Sequence, residues 1–403
     1  MIIFIFLEAD MANITLLEKT LPTAPLKIAA LDSCMELGQK VNDYIVSFRQ
    51  NATQEYPDLA TLANYNQANY LVDCACPRFG SGEAKGMLRE SIRGTDLFVM
   101  VDVCNYSMTY KVNGHINHMS PDDHYQDLKR IISAATGKAR RINVIMPFLY
   151  ESRQHKRTKR ESLDCALALE ELHAMGVSNI MTFDAHDPRV QNAIPLKGFD
   201  NFSPNYQFMK ALLRAEPDLN VDKDHLMIIS PDEGAMHRAV YLSNVLGVDM
   251  GMFYKRRDYS VVVNGKNPIV AHEFLGDDLK GKNAIIVDDM ISSGESMLDV
   301  AKQIKERGAN RVFVFTTFGL FTEGLAKFDE YYENGFIDRI ITTNLTYLPE
   351  ELKDKPYFAC ADMSKFLALI IDSMNHDISI GKVLDPSEKI HALLEKHNAK
   401  LNK

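Results

Sequence analysis

The chain has 403 residues, 46% of them hydrophobic and 25% charged, with a net charge of −9. That length allows two or three domains with sizeable cores, and the acidic balance argues against a general nucleic-acid binder. No stretch is long and apolar enough to span a bilayer, so the expectation is a soluble protein with no membrane partner. The six cysteines, Cys34, Cys74, Cys76, Cys104, Cys165 and Cys360, are scattered. Cys74 and Cys76 form the one close pair, and no second pair or His pair completes a zinc spacing. Reduced thiols in a cytoplasmic protein fit that usage.

Met1–Leu7 is apolar but short, and Glu8 and Asp10 follow it. It reads as an extra strand, or as residues ahead of a start at Met11. Leu26–Ala30 then predicts a strand, followed by a helix over Cys34–Ile45. Further strands are expected at Asp96–Val101, Ile142–Met146 and Asn179–Phe183, with a helix over Ser162–Met175 that ends at Gly176. His225–Ser230, Asn283–Val287 and Arg311–Thr316 add three more strands. Two polar stretches, Phe48–Gln67 and Tyr106–Asp123, look like insertions, and the tail from Tyr347 onward is helical in pattern. Strands alternating with helices imply parallel sheets with crossover helices. A cluster of Gly198, Asn201 and Pro204 marks a boundary between two βα series.

The stretch from Asn283 to Ser296 says most about function. A buried strand runs into the carboxylates Asp288 and Asp289. A small-residue turn follows, then a helix with Met297, Val300, Ala301 and Ile304 at helical spacing and Gly308 as its stop. In an open α/β sheet, ligands bind at such carboxyl ends of strands. Ser292, Ser293, Gly294 and Ser296 offer unblocked backbone N–H groups and hydroxyls at a helix N-terminus, which suits phosphate. Carboxylates repel phosphate, so Asp288 and Asp289 suit sugar hydroxyls or a metal ion. A ribose 5-phosphate satisfies both; an ordinary turn with a capping Asp pair would show the same spacing.

Other strand ends carry chemistry. Asp184 and His186 follow the strand at Asn179–Phe183, where a lone His is more often a structural hydrogen-bonder than a ligand. Asp232, in Ser230–Gly234, is either a metal ligand or an N-cap. His186 and Asp232, one from each half, would make a small site for Mg²⁺ with its usual waters. Arg153–Arg160 is strongly basic and reads as a solvated face or as a polyphosphate receiver. Tyr254–Asp258 is a second basic knot, either a mobile loop or the tip of a β-hairpin.

Together these motifs resemble the ribose-phosphate pyrophosphokinases, in order, from about Leu26 to Asp385. Arg78–Glu83 is similar to the family's ATP-contacting loop, which implies ATP-binding roles for Phe79, at the adenine-stacking position, and for Ser81, Gly82 and Glu83. Ser91–Gly94 follows it as in the family. Arg153 and Gln154 match a pair that contacts ATP. His186 and Asp232 match the Mg²⁺ ligands, and Lys255 and Arg257 match the working residues of a catalytic loop. Asp288, Asp289, Ser292, Ser293, Gly294, Glu295 and Ser296, with Arg257, would then bind ribose 5-phosphate.

The resemblance implies an α/β fold of two similar phosphoribosyltransferase-type domains, each a mainly parallel sheet flanked by helices. They are expected at 20–203 and 204–346, with the tail 347–403 packing on the first. It also implies transfer of the diphosphoryl group of ATP to ribose 5-phosphate, and a homo-oligomer built from dimers up to hexamers. A phosphoribosyltransferase would explain Asp288–Ser296 but not the ATP residues. A silent regulatory homologue would show damage at the ATP or metal residues. Departures from the family pattern are Ser81 in place of an Asp, Phe318 in place of a His, and Glu295 beside the phosphate turn. Glu295 is expected to weaken phosphate binding unless its side chain points outward.

Overall fold

A computed structural model describes residues 20–257 and 269–401. Met1–Leu7, Asp258 and Asn264–Pro268 lie outside the described residues. In chain order the first part comprises β1 (Leu26–Ala30), α1 (Met35–Glu55), β2 (Cys74–Ala75), β3 (Met87–Leu88), β4 (Asp96–Met100), β5 (Thr109–Val112), β6 (His115–His118), α2 (Pro121–Ala135), β7 (Arg141–Ile145), α3 (Asp164–Ala174), β8 (Asn179–Phe183) and β9 (Gly198–Phe202). The second comprises α4 (Asn205–Ala215), β10 (Leu226–Ser230), α5 (Met236–Leu246), β11 (Asp249–Arg257), β12 (Ile269–Leu275), β13 (Asn283–Ile291), α6 (Glu295–Glu306), β14 (Val312–Gly319), α7 (Ala326–Glu333), β15 (Arg339–Thr343), α8 (Glu350–Lys353) and β16 (Phe358–Ala361). The tail adds α9 (Ser364–Asn375), α10 (Gly381–Leu384) and α11 (Ser387–Leu401).

Two compact units result. One holds the residues up to Ser203 with Asn344–Tyr347 and Asp362–Asp385; the other holds Pro204–Thr343, Leu348–Ala361 and Pro386–Lys403. The first sheet has the order β1-β4-β7-β8-β9, parallel throughout. The second has the order β12-β11-β10-β13-β14-β15-β16, parallel except for the antiparallel β11–β12 pair. Parallel strands need crossovers, and helices on both faces make the strands apolar throughout rather than alternating. On β13 this is explicit. Ala284 and Ile286 pack on one face with Met227, Val314 and Ile304, whereas Ile285 and Val287 pack on the other with Ile228, Phe313 and Phe315.

Several expectations change. The helix predicted to end at Ile45 runs to Glu55, because Leu37, Val41, Ile45 and Ala52 keep one buried face; Pro57 follows just beyond its end. The polar stretch Tyr106–Asp123 is a hairpin, β5–β6, leading into α2 through a capping box between Ser120 and Asp123. The tail does not pack as one piece on the first unit. Phe358–Ala361 adds a parallel edge strand beside β15, and Ile390 and Leu394 of α11 join the core around Ile228. Only Asn344–Tyr347 and Asp362–Asp385 go to the first unit.

What holds α9 in the first unit is a buried polar network at the amino end of its sheet. Arg49 of α1 donates to Asp372 at 2.9 and 2.6 Å and to Asn375 at 2.7 Å. Its guanidinium lies 4.8 and 4.9 Å from the Tyr65 and Tyr70 ring centres. Asn375 donates to Asp96 at 3.0 Å, and Arg141 grips both Asp96 oxygens at 2.8 and 2.7 Å. Removing one partner strands a buried charge. Asp372→Ala is expected to destabilise the protein by roughly 3–5 kcal/mol, read as a lower urea midpoint of the unfolding transition.

Candidate active site

In the second unit, β13 pairs with β10 only as far as Ile286 but follows β14 to Ile291, so Asp288 and Asp289 extend past the end of β10. Asp289 is buried, and Arg238 of α5 approaches it, Nη2 to Oδ2, at 3.9 Å. Burial, Asp289 and the nearby Asp232 push the Asp288 carboxyl well above the usual carboxylate range. This concentration of negative charge is what a cation or a set of sugar hydroxyls would relieve. Asp232 stands in the turn after β10. Its Oδ1 accepts N–H bonds from Gly234 at 2.9 Å and Ala235 at 3.3 Å, so a turn-forming role is present whatever else it binds.

The turn at Ser292–Ser296 is shaped by one glycine. Gly294 has φ +83, and a Cβ built on it would lie 2.3 Å from the Phe328 ring. The turn is closed by Thr322 N–H donating to the Ser292 carbonyl at 3.0 Å, and α6 starts at Glu295. Behind it Met297, Leu298, Val300, Ala301 and Ile304 are buried, which aims the helix N-terminus at the rim. The Glu295 side chain is 69% exposed and meets Lys327 Nζ at 2.9 Å. Its charge is therefore answered by Lys327, although an exposed pair of this kind contributes little stability.

In the first unit, Phe79–Gly82 forms a tight tip. Gly82 N–H donates to Phe79 O at 2.9 Å, Phe79 N–H donates to Glu83 O at 2.7 Å, and Gly82 has φ +93. Phe79 is 53% exposed, an aromatic face presented to solvent. Ser81 Oγ donates to Glu83 at 2.9 Å. The β5–β6 hairpin braces this tip: Asn113 N–H donates to Gly80 O at 2.9 Å, and Arg78 lies 4.7 Å over the Tyr110 ring while bonding Asp127 at 2.7 Å. The stretch read as an insertion thus braces the Phe79–Gly82 tip.

Arg153 is exposed, and Gln154 is fixed by donating to Ser162 O at 2.8 Å. At the end of β8, Asp184 takes φ +42, and Asn201 of β9 accepts the Ala185 N–H at 3.0 Å. His186 follows, with the His155 ring 5.5 Å away. Next to it, Arg189 holds the Asp187 carboxyl well below the usual range through hydrogen bonds of 2.9, 3.2 and 2.5 Å. Among the described residues no group of three or more His, Cys, Asp or Glu converges to hold a metal. Lys255 and Arg257 lie on the last residues of β11, paired with His272 and Ile269 across a bulge. Their side chains lie outside what is described.

Two residues escaped the sequence reading. Arg238 is a charge on the buried face of α5, a signal its apolar neighbours Ala239 and Leu242 make visible. Asp102 interrupts an apolar run just past β4 and accepts N–H bonds from Cys104 at 2.8 Å and Tyr347 at 2.6 Å. Burial raises its pKa to about 7 against those two bonds.

The sequence matches the family descriptions "N-terminal domain of ribose phosphate pyrophosphokinase" over residues 26–176 and "phosphoribosyl synthetase-associated domain" over 259–384. It is 27% identical over 342 residues to the ribose-phosphate pyrophosphokinase of Vibrio parahaemolyticus, covering 84% of this chain and 98% of that protein. The corresponding protein of Pasteurella multocida is 27% identical over 338 residues, covering 83% and 97%. The phosphoribosylpyrophosphate synthetase of Mycobacterium smegmatis superposes with a TM-score of 0.65 at 21% identity, over 87% of this chain and 99% of that one. The fold is therefore α/β of the phosphoribosyltransferase type, and the protein is a phosphoryl-transferring enzyme. The chain belongs to the ribose-phosphate pyrophosphokinase family.

Two outcomes follow from this geometry. Gly294→Ala, strained in φ and clashing with Phe328, should destabilise the fold by about 3 kcal/mol and weaken ribose 5-phosphate binding, measured by thermal shift and calorimetric titration. Asp102 ionises near 3.8 in the unfolded chain but at about 7 in the fold. The folded state therefore keeps a proton that the unfolded chain releases. Its contribution is full below pH 4 and lost as pH rises through 7, on the order of 4 kcal/mol. Asp102→Asn should flatten that slope in urea denaturation between pH 5 and 8, whatever its own absolute stability.

Proposed function

We propose that the protein transfers the diphosphoryl group of ATP to the C1 hydroxyl of ribose 5-phosphate, giving phosphoribosyl pyrophosphate and AMP. The observation that carries this reading is the Phe79–Glu83 tip with its exposed aromatic face and hairpin support. The Ser292–Gly294 turn alone would equally suit an enzyme that consumes phosphoribosyl pyrophosphate.

Phe79 stacks on adenine, with Ser81, Gly82 and Glu83 shaping the loop around the base. Arg153 and Gln154 contact the nucleotide, and Arg153 suits the triphosphate because its guanidinium offers paired donors. The backbone N–H groups of Ser292–Ser296 and the hydroxyls of Ser292, Ser293 and Ser296 receive the sugar phosphate at the N-terminus of α6. Asp288 and Asp289 accept hydrogen bonds from ribose hydroxyls, Arg238 holding Asp289 in place. Lys255 and Arg257 stabilise negative charge that develops on the group in transfer, the main demand of phosphoryl chemistry. His186 and Asp232 suit Mg²⁺, which uses one or two protein ligands and keeps several waters; when bound it neutralises triphosphate charge. The same reading carries the expectations of a cytoplasmic location and of a dimer-based oligomer.

A silent regulatory homologue would be expected to lose these groups; of its two hints, Ser81 and Glu295, the second is engaged by Lys327. Incubation of the pure protein with ATP, Mg²⁺ and ribose 5-phosphate should yield AMP and phosphoribosyl pyrophosphate in equal amounts. Lys255→Ala should nearly abolish turnover. AMP no higher than in an ATP-only control overturns the reading.

A further inference from the structure

His155 sits inside the basic stretch Arg153–Arg160, yet it behaves unlike its neighbours. Lys156, Arg157, Lys159 and Arg160 are exposed, whereas the His155 side chain is only 12% exposed. Its Nε2 faces Asp187 Oδ2 at 3.4 Å, and its Nδ1 is buried with no hydrogen-bond partner. Asp187 in turn is clamped by Arg189. The His155 ring lies 5.5 Å from that of His186, tilted by 55°.

A buried imidazole nitrogen without a partner is costly unless something occupies it. A carboxylate behind the other nitrogen is the arrangement that orients a metal-ligating histidine and raises its basicity. The spacing also suits a shared ion. With metal–nitrogen bonds of about 2.1 Å, two imidazoles ligating one cation at right or tetrahedral angles have ring centres roughly 5 Å apart.

We propose that His155 is a second imidazole ligand, through Nδ1, for the cation held by His186, and that Asp187 orients it. The inference rests on His186 being a cation ligand, as in the functional reading above. Its consequence is metal selectivity. Mg²⁺ prefers oxygen donors, whereas imidazole favours transition metals. Two imidazoles therefore bias the first unit toward Mn²⁺ and Co²⁺.

The test uses the full-length protein and Mn²⁺ alone, without nucleotide. Free Mn²⁺ is followed by its electron paramagnetic resonance, and bound imidazoles are counted by nitrogen modulation of the pulsed signal. The wild type should show two coordinated imidazoles. His155→Asn should show one and bind Mn²⁺ at least about tenfold more weakly, with Asp187→Asn intermediate. Less Mg²⁺, by a similar factor, should displace Mn²⁺ from His155→Asn than from the wild type. His155→Phe, which keeps a planar ring in the same space, guards against a folding defect in the Asn variant. Two imidazoles still present in either natively folded His155 variant overturn the inference, as does an unchanged affinity. Because these spectra need no turnover, absence of AMP formation in the wild type would count against the reaction assignment separately.

Discussion

The first unit depends on a chain of buried charges at the amino end of its sheet. Arg141 and Asn375 converge on Asp96 at the start of β4, and Arg49 converges on Asp372 and Asn375 of α9. Burying a carboxylate or a guanidinium is unfavourable unless each finds its partner in good geometry. The network therefore tolerates one arrangement of α1, β4, β7 and α9 and rejects slipped ones. With the amino ends locked in this way, the carboxyl ends of the same strands are left for the loops that hold the candidate site residues. Asp184, His186 and Asp187 follow β8 there, and Arg153–His155 come soon after β7. The buried network and the candidate site residues thus sit at opposite ends of one sheet, and ligands of parallel α/β folds bind at the carboxyl end.

The second unit uses a different device. Its carboxylates gather near Asp288 with a single buried guanidinium, Arg238, as described counter-charge to Asp289. That arrangement keeps the carboxyl of Asp288 reluctant to ionise and ready to be stabilised by a ligand. The neighbouring turn is made rigid by steric exclusion: only a residue without a Cβ fits over Phe328 with Gly294 at positive φ. Glu295, the residue whose chemistry conflicts with a phosphate site, is turned toward Lys327. A departure in sequence thus became a surface ion pair.

Much of this was legible in the chain. Strands that are apolar on both faces, such as Asn283–Val287 and Leu226–Ser230, announce a parallel sheet without help from tertiary structure. The turn at Ser292–Gly294 was readable as a turn because a run of small residues stands between an apolar strand and an amphipathic helix. What stayed hidden had weak local signals. β9 is only partly buried and carries Gly198, Asp200 and Asn201, so it read as a boundary. β5 and β6 are largely exposed and polar, so no hydrophobic period marks the hairpin. β16 is an edge strand of four residues, too short for any pattern to register. Arg238 and Asp102 were missed for another reason: each is a polar residue whose role depends on long-range burial, which no window of sequence reports.

The division of the chain has a consequence for biosynthesis. The first unit is not a continuous stretch, since it needs Asp362–Asp385 to complete it. On the ribosome, Arg49 emerges more than 300 residues before Asp372. A buried guanidinium cannot rest in its niche between Tyr65 and Tyr70 without its carboxylate, so the nascent first unit waits, open at its amino edge, while the intervening unit is made. Completion of the first unit is thus timed by the arrival of Asp362–Asp385, after most of the second unit has been made. That discontinuity lengthens the interval in which the apolar strands of the first unit stand uncovered, and so the interval in which protection by chaperones has value.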